Sequence, residues 1–197
     1  MGTIELIFAS SNPDKKKEFE DILGEAFKIL SLSDIEFKLP LPEESGKTYV
    51  ENAHLKAEFV GLHTQRLCFA DDSGLEVEAL NNEPGIHSAR YEGLSRPEDL
   101  RQRILQKLGA EPNRKARFVC VIALYLPQEL SCMSFSGKVD GALTTEESGA
   151  KGFGYDPLFV PDSYNRTFAE LDPQEKNLIS HRAHASRLML KYLLKNQ

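Results

Sequence analysis

The run ARFVCVIALYL, residues 116–126, limits what this chain can fold into more than any other stretch. It is apolar almost throughout and is rich in β-branched side chains. A strand with one wet face alternates apolar and polar residues; this run does not, so both of its faces must be covered. It is also far short of the roughly 20 apolar residues that span a bilayer. The run therefore reads as the central strand of a sheet with layers packed on both sides. Strand-like and helical patterns alternate through the first half, and residues 132–140 can pair beside the central run as an antiparallel neighbour. Together they predict an α/β fold with a mixed sheet. At 197 residues and 41% hydrophobic, the chain can bury a sizeable core as one domain (1–197), or as two small lobes sharing one sheet.

Local signals place the other elements. Ile4–Ala9 reads as a buried strand, followed by Asn12 as N-cap and Pro13 as the first helical residue. Phe19, Ile22 and Leu23 line that helix, and Gly24 ends it. Phe27–Leu30 is a weak second strand, and residues 39–46 form a loop. Thr48 and Glu51 make a capping-box pattern that opens a helix to about residue 62. A strand over 67–70 leads to DDSG, read as a turn, and then to a strand over 75–80. Ser95 with Glu98, and Asp172 with Glu175, repeat the capping-box pattern. Between them lie a helix lined by Leu100, Ile104 and Leu108 and a short strand at Leu158–Val160. Ser180 is read as the N-cap of a last helix whose apolar face is Leu188, Leu190, Leu193 and Leu194.

A net charge of −6 disfavours duplex nucleic acid, which needs a basic face. The opening MGTIELIFAS lacks the basic start of a secretory signal and the pattern for N-myristoylation. No membrane segment is present. Cys68, Cys120 and Cys132 are odd in number and are read as reduced, with the first two buried, which points to the cytoplasm.

Three stretches carry chemistry. Lys15, Lys16 and Lys17 fall in the first turn of the first helix, where the helix dipole opposes a cation by a few tenths of a kcal/mol or more. His181 and Arg182 repeat the anomaly at the last helix. Two such starts fit a shared anionic guest, since helix N–H groups and a lysine together make a phosphate site; a solvated face is the competing reading for the lysine run. Walker A and G-x-G-x-x-G patterns are absent. The second stretch is FADDSGLEV, residues 69–77. With the strand expected to end near Asp72, a carboxylate there can hold Mg²⁺ or take a proton from water, and Glu43 and Glu44 are the nearest further acids. The competing reading makes Asp71 a turn former and leaves the glutamates in solvent. The third is KGFGYDPLF, residues 151–159, where Phe153 between two glycines can stack on a base; a tight turn with Phe153 buried in the core is the competing reading, and the stretch taken alone favours it. The pair His181 and His184 has no evident third ligand, so no zinc site is read there.

Six ordered stretches make the chain resemble the inosine triphosphate pyrophosphatase family, which hydrolyses deaminated purine nucleoside triphosphates. They are SSNPDK (10–15), EESGKTYVENAHLKA (43–57), ADDSGLEV (70–77), GIHSARYEG (85–93), GFGYDPLF (152–159) and EKN…SHR (175–182). The resemblance implies an elongated mixed β-sheet flanked by helices, with two lobes and the active-site cleft between them. It implies a homodimer, Mg²⁺ as cofactor, and attack of water on the α-phosphorus of ITP, dITP or XTP to give the monophosphate and pyrophosphate. Carried over by motif, Asp72 is the general base and a metal ligand, and Glu44 is the second metal ligand. Ser10, Ser11, Asn12, Pro13, Asp14 and Lys15 form the phosphate loop, joined by Lys56. Ser73 and Arg90 lie near the site. Phe153, with Gly154 and Tyr155 beside it, stacks on the base, and Asp156, Lys176, His181 and Arg182 read its edge or the adjoining phosphate. A regulator without catalysis would keep the lysines and lack the acids. A single-stranded RNA binder would use Phe153 but fits poorly with the net charge.

Overall fold

The computed structural model describes residues 3–196; Met1 and Gly2, part of the stretch read for a leader, lie outside them, as does Gln197. In order the elements are β1 (Ile4–Phe8), α1 (Pro13–Leu23), β2 (Phe27–Leu30), α2 (Tyr49–Thr64), β3 (Cys68–Val77), β4 (Glu83–Pro84), α3 (Pro97–Leu108), β5 (Lys115–Leu126), β6 (Ser131–Leu143), β7 (Phe159–Pro161), α4 (Pro173–Ile179) and α5 (His181–Lys195). The seven strands form one sheet in the order β2-β1-β3-β5-β6-β7, with β4 paired to β3 off this path. β1 runs parallel to β2 and β3, whereas β3–β4 and β6–β7 are antiparallel. The fold is therefore α/β with a mixed sheet. The apolar run is its central strand: β5 lies between β3 and β6, and every residue from Cys120 to Leu126 is buried.

The chain divides into two compact units. Unit 1 holds the chain up to Asp72, residues 120–137 and the chain from Arg182 onward; unit 2 holds residues 73–119 and 138–181. In unit 1 the pleat sends alternate side chains to opposite faces. Leu6, Phe8, Phe69, Ile122 and Leu124 meet Phe19 of α1 and Ala185, Met189 and Leu193 of α5. Ile7, Ala9, Cys68, Ala70, Val121, Ala123 and Tyr125 meet Ala53, Ala57 and Val60 of α2. α2 lies close to the sheet because its inner face is small. At Gly61 a Cβ would stand 2.2 Å from the Tyr125 ring. Unit 2 has its own core around Leu75, Tyr91, Ile104, Phe118, Phe159 and Phe168. Cys68 and Cys120 are buried free thiols and Cys132 is half-buried.

Several local expectations need correction. DDSG is no turn: β3 runs unbroken from Cys68 to Val77, between β1 and β5 in the sheet order, with Gly74 buried inside it. It is followed by a tight turn at 78–80 rather than by a second strand. α3 starts at Pro97 with Arg96 at the cap position and no side-chain cap, so Ser95–Glu98 is not a capping box; a residue before proline is kept out of helical geometry. Asp172 stands at the cap position of α4 but pairs with Lys151 instead of capping. At α2, Thr48 caps the Glu51 N–H, whereas the Glu51 carboxylate accepts from Lys47 N–H at 2.5 Å, one residue before the box would place it. On α5, Leu188 and Leu194 are exposed, and the inner face is Ala185, Met189 and Leu193, at i, i+4 and i+8.

Candidate active site

Unit 1 gathers most of the predicted residues around the end of β1. That strand stops at Phe8, opposite Phe69 of β3, while β3 continues through Asp71 and Asp72. β1 and β3 are neighbours whose onward connections diverge: the chain leaves β1 through α1 to β2 on one side, and leaves β3 through β4 and α3 to β5 on the other. Open α/β sheets bind ligands at the carboxyl end of a strand at such a point. The segment 10–15 occupies that place. Asn12 caps α1 as expected: its Oδ1 accepts from Asp14 N at 2.9 Å and Lys15 N at 3.2 Å, and Ser10 Oγ accepts from Asn12 N at 3.2 Å. The first-turn amides of Asp14 and Lys15 are thus taken by the cap, so cations and hydroxyls, rather than open N–H groups, carry the attraction for an anion. Ser11, Pro13 and Asp14 are exposed.

The three lysines separate. Lys16 pairs with Glu20 at 2.9 Å and Asp34 at 3.6 Å, and Lys17 is exposed; these two form a solvated face. Lys15 turns inward, its Nζ 2.9 Å from Asp71 Oδ2. The same carboxylate oxygen lies 3.6 Å from Arg182 Nε, and the Arg182 Nη1 donates to Glu18. Burial pushes the Asp71 carboxyl up, but the charges of Lys15, Arg182 and Lys56 outweigh it and hold the group at about 2. Asp71 is therefore a fixed anion that sets the positions of two cations.

Asp72, the next residue along the strand, has a different environment. Its Oδ2 accepts from Asn52 Nδ2 at 3.1 Å, and Asn52 Oδ1 accepts from Gly46 N at 2.8 Å, which ties the acid to the loop before α2. Burial raises the Asp72 carboxyl above its usual range; Lys56 and the Asn52 bond oppose that shift, and the charge of Glu44 adds to it. Lys56 Nζ donates to Glu44 Oε1 at 2.5 Å and to the Asp71 carbonyl at 2.8 Å. An ammonium has three donors, so one remains for a phosphate oxygen. Glu44 and Asp72 are close enough to influence each other's charge and offer only hard oxygen ligands. Such a pair, completed by phosphate oxygens and water, suits Mg²⁺.

Unit 2 carries a second group. Phe153 is half-buried, with Lys176 Nζ 5.0 Å from its ring centroid. Lys176 Nζ is also 2.5 Å from Asp156 Oδ2, which accepts from Phe153 N at 2.8 Å. Gly152 makes this loop possible: its φ is +71°, and a Cβ there would stand 2.1 Å from Asp156 Oδ2. The Gly154 carbonyl accepts from Arg101 at 3.0 Å, and the buried Tyr155 hydroxyl donates to the Ser88 carbonyl at 2.9 Å. Tyr155 thus anchors the loop to its own core. His181 is buried and stacks on Phe118, with centroids 4.8 Å apart and ring planes 12° from parallel. Arg90 is exposed and Ser73 is half-buried.

Residues 6–192 match the Ham1 family. The chain belongs to the Ham1 family. Relatives span nearly all of it. A protein of Christiangramia forsetii named dITP/XTP pyrophosphatase is 42% identical over 193 residues, covering 98% of this chain and 100% of that one. A Porphyromonas gingivalis protein of the same name is 44% identical, covering 96% and 97%. The solved structure of the Staphylococcus aureus Ham1 protein superposes with a TM-score of 0.87 at 38% identity, covering 98% of this chain and 100% of that chain. Among the described residues no helix is long and apolar enough to cross a membrane.

Asn52, Asp71 and Glu18 escape a motif-based reading of this Ham1-family chain. Asn52 had a signal: it is a polar residue beside Ala53 on the inner face of α2 and four before Lys56, so it must meet a partner inside. Glu18 had none, because its partner Arg182 lies 164 residues away.

Proposed function

We propose that this chain is a Mg²⁺-dependent pyrophosphatase of deaminated purine nucleoside triphosphates, taking ITP, dITP and XTP to the monophosphate and pyrophosphate. The observation that carries the reading is Asp72. It is an acid on a buried strand, raised by burial, oriented by Asn52 and set beside a Lys56–Glu44 pair. Asp72 takes a proton from the attacking water; the water oxygen bonds to the α-phosphorus as the bond from that phosphorus to the bridging oxygen breaks, and pyrophosphate leaves. A base works best when its pKa approaches the working pH, which is the direction in which burial moves Asp72. Lys15, held by Asp71, and the remaining donor of Lys56 attract the phosphates, with Ser10 as a further donor. Glu44 and Asp72 would hold Mg²⁺, which supplies charge compensation to the phosphates.

For the base, Phe153 offers a face, and Lys176 offers only donors. Hypoxanthine and xanthine present an acceptor at position 6 where adenine presents a donor. A site built around that bond rejects the mismatch by about 10⁴-fold. The reading includes a cytoplasmic homodimer, in keeping with three free cysteines and with the family resemblance. It is tested by Asp72→Asn, which keeps the shape and removes the base. The expected loss in kcat is at least about a hundredfold, with triphosphate binding largely retained. A variant turning over at close to the wild-type rate would show that Asp72 is only a strand residue.

A further inference from the structure

We propose that His54, Glu58 and Cys132 form a site for a zinc-type divalent cation, distinct from the Asp72–Glu44 pair. His54 and Glu58 are one turn apart on α2, and Cys132 is the second residue of β6. Ligand atoms of the three lie within 4.8 Å of one another. His54 Nδ1 is 3.9 Å from Glu58 Oε1. Tetrahedral zinc, with bonds of about 2.0–2.3 Å, sets its ligand atoms roughly 3.3–3.6 Å apart. Small rotamer changes close that gap, and the Glu58 side chain is 47% exposed and can move.

The chemistry of the set selects the ion. One imidazole, one thiol sulfur and one carboxylate suit zinc, whereas Mg²⁺ takes oxygen ligands. His54 Nε2 is held by Ser134 Oγ at 2.7 Å. Metal-bound histidines are fixed in this way through their second nitrogen. The Nδ1 is then left as the ligating atom. His54 and Glu58 also line a shallow pocket of about 350 Å³ with Gly46, Val50, Glu51 and Leu55. At about 100° of rotation per residue, His54 and Glu58 fall on the side of α2 away from Asn52 and Lys56. A bound ion would therefore tie α2 to β6 without touching the residues that orient Asp72.

The test uses the whole tag-free chain. It is equilibrated with Zn²⁺ in excess Mg²⁺ and desalted, and its zinc content is measured; a parallel sample receives Co²⁺ and its absorption spectrum is recorded. About one zinc per chain is expected, retained by Asp72→Asn and bound at least tenfold more weakly by Cys132→Ser and by Glu58→Gln. Glu58→Gln alters a half-exposed side chain and keeps the test independent of any folding defect at Cys132. The Co²⁺ form should show a thiolate-to-cobalt charge-transfer band that Cys132→Ser lacks. No retained zinc, equal retention by both variants, loss confined to Asp72→Asn, or a cobalt spectrum without the thiolate band would each overturn the proposal.

Discussion

Asp71→Asn isolates the internal anion of unit 1. Asp71 is fully buried, 2.9 Å from Lys15 and 3.6 Å from Arg182. A carboxyl held at about 2 against an ordinary 3.8 corresponds to about 2 kcal/mol of stability at neutral pH. That figure counts only the advantage of the charged form over a neutral one. Removing one partner of a buried pair also strands the other charge, which typically costs about 3–5 kcal/mol. The second mechanism governs Arg182, which is buried, more than Lys15, which is partly exposed and can turn outward. Taking about 3 kcal/mol, a chain of this size should lose about 6–12 °C in Tm at pH 7. The sign with pH follows from a depressed folded-state value: the stabilisation is fully present above about pH 4 and is lost as pH falls toward 2. The gap between wild type and variant should therefore narrow between those limits. Thermal melts by circular dichroism at pH 7 and pH 3 provide the assay. A variant within about 2 °C of wild type at pH 7, or a gap that stays constant toward acid, refutes the assignment of Asp71 as the anion holding Lys15 and Arg182.

Two further outcomes follow from single contacts. Asn52→Ala removes the donor that favours the charged Asp72, so the acidic limb of the kcat/KM profile should move to higher pH and kcat should fall by about tenfold; an unmoved limb would show that the bond does not act on the base. Gly152→Ala puts a side chain at a φ of +71° and against Asp156, so the melting temperature should drop by several degrees, with about 1–2 kcal/mol from backbone strain alone, and KM for dITP should rise; unchanged values for both would show that the loop relaxes freely.

Much of the frame was legible in residue patterns. The unbroken apolar run of β5 could only be a covered central strand, and the Asn12–Pro13 start and Gly24 end of α1 follow from backbone chemistry alone. What failed was local grammar overruled from a distance. DDSG has the composition of a turn, yet it stays extended inside a continuous ten-residue strand, and the sequence does not show which strands will lie beside that strand. That extension changes the reading of the two acids: adjacent strand residues point to opposite faces, so Asp71 meets Lys15 and Arg182 while Asp72 meets Asn52. Likewise the three lysines are equivalent on paper; only the position of Asp71 selects Lys15 from its neighbours. The exposed Leu188 and Leu194 show the same limit, since the mixed leucine spacing on α5 does not indicate which face meets Phe19 and Phe69 until the sheet is in place.

The central claim is most directly tested by product analysis of the wild-type chain. dITP, XTP and dATP are supplied separately at equal concentration with Mg²⁺, and pyrophosphate, orthophosphate and the nucleotide products are quantified. The account predicts monophosphate and pyrophosphate in equal amounts from dITP and XTP, with dATP slower by about 10⁴-fold. Orthophosphate with nucleoside diphosphate, or comparable rates on dATP and dITP, would contradict it.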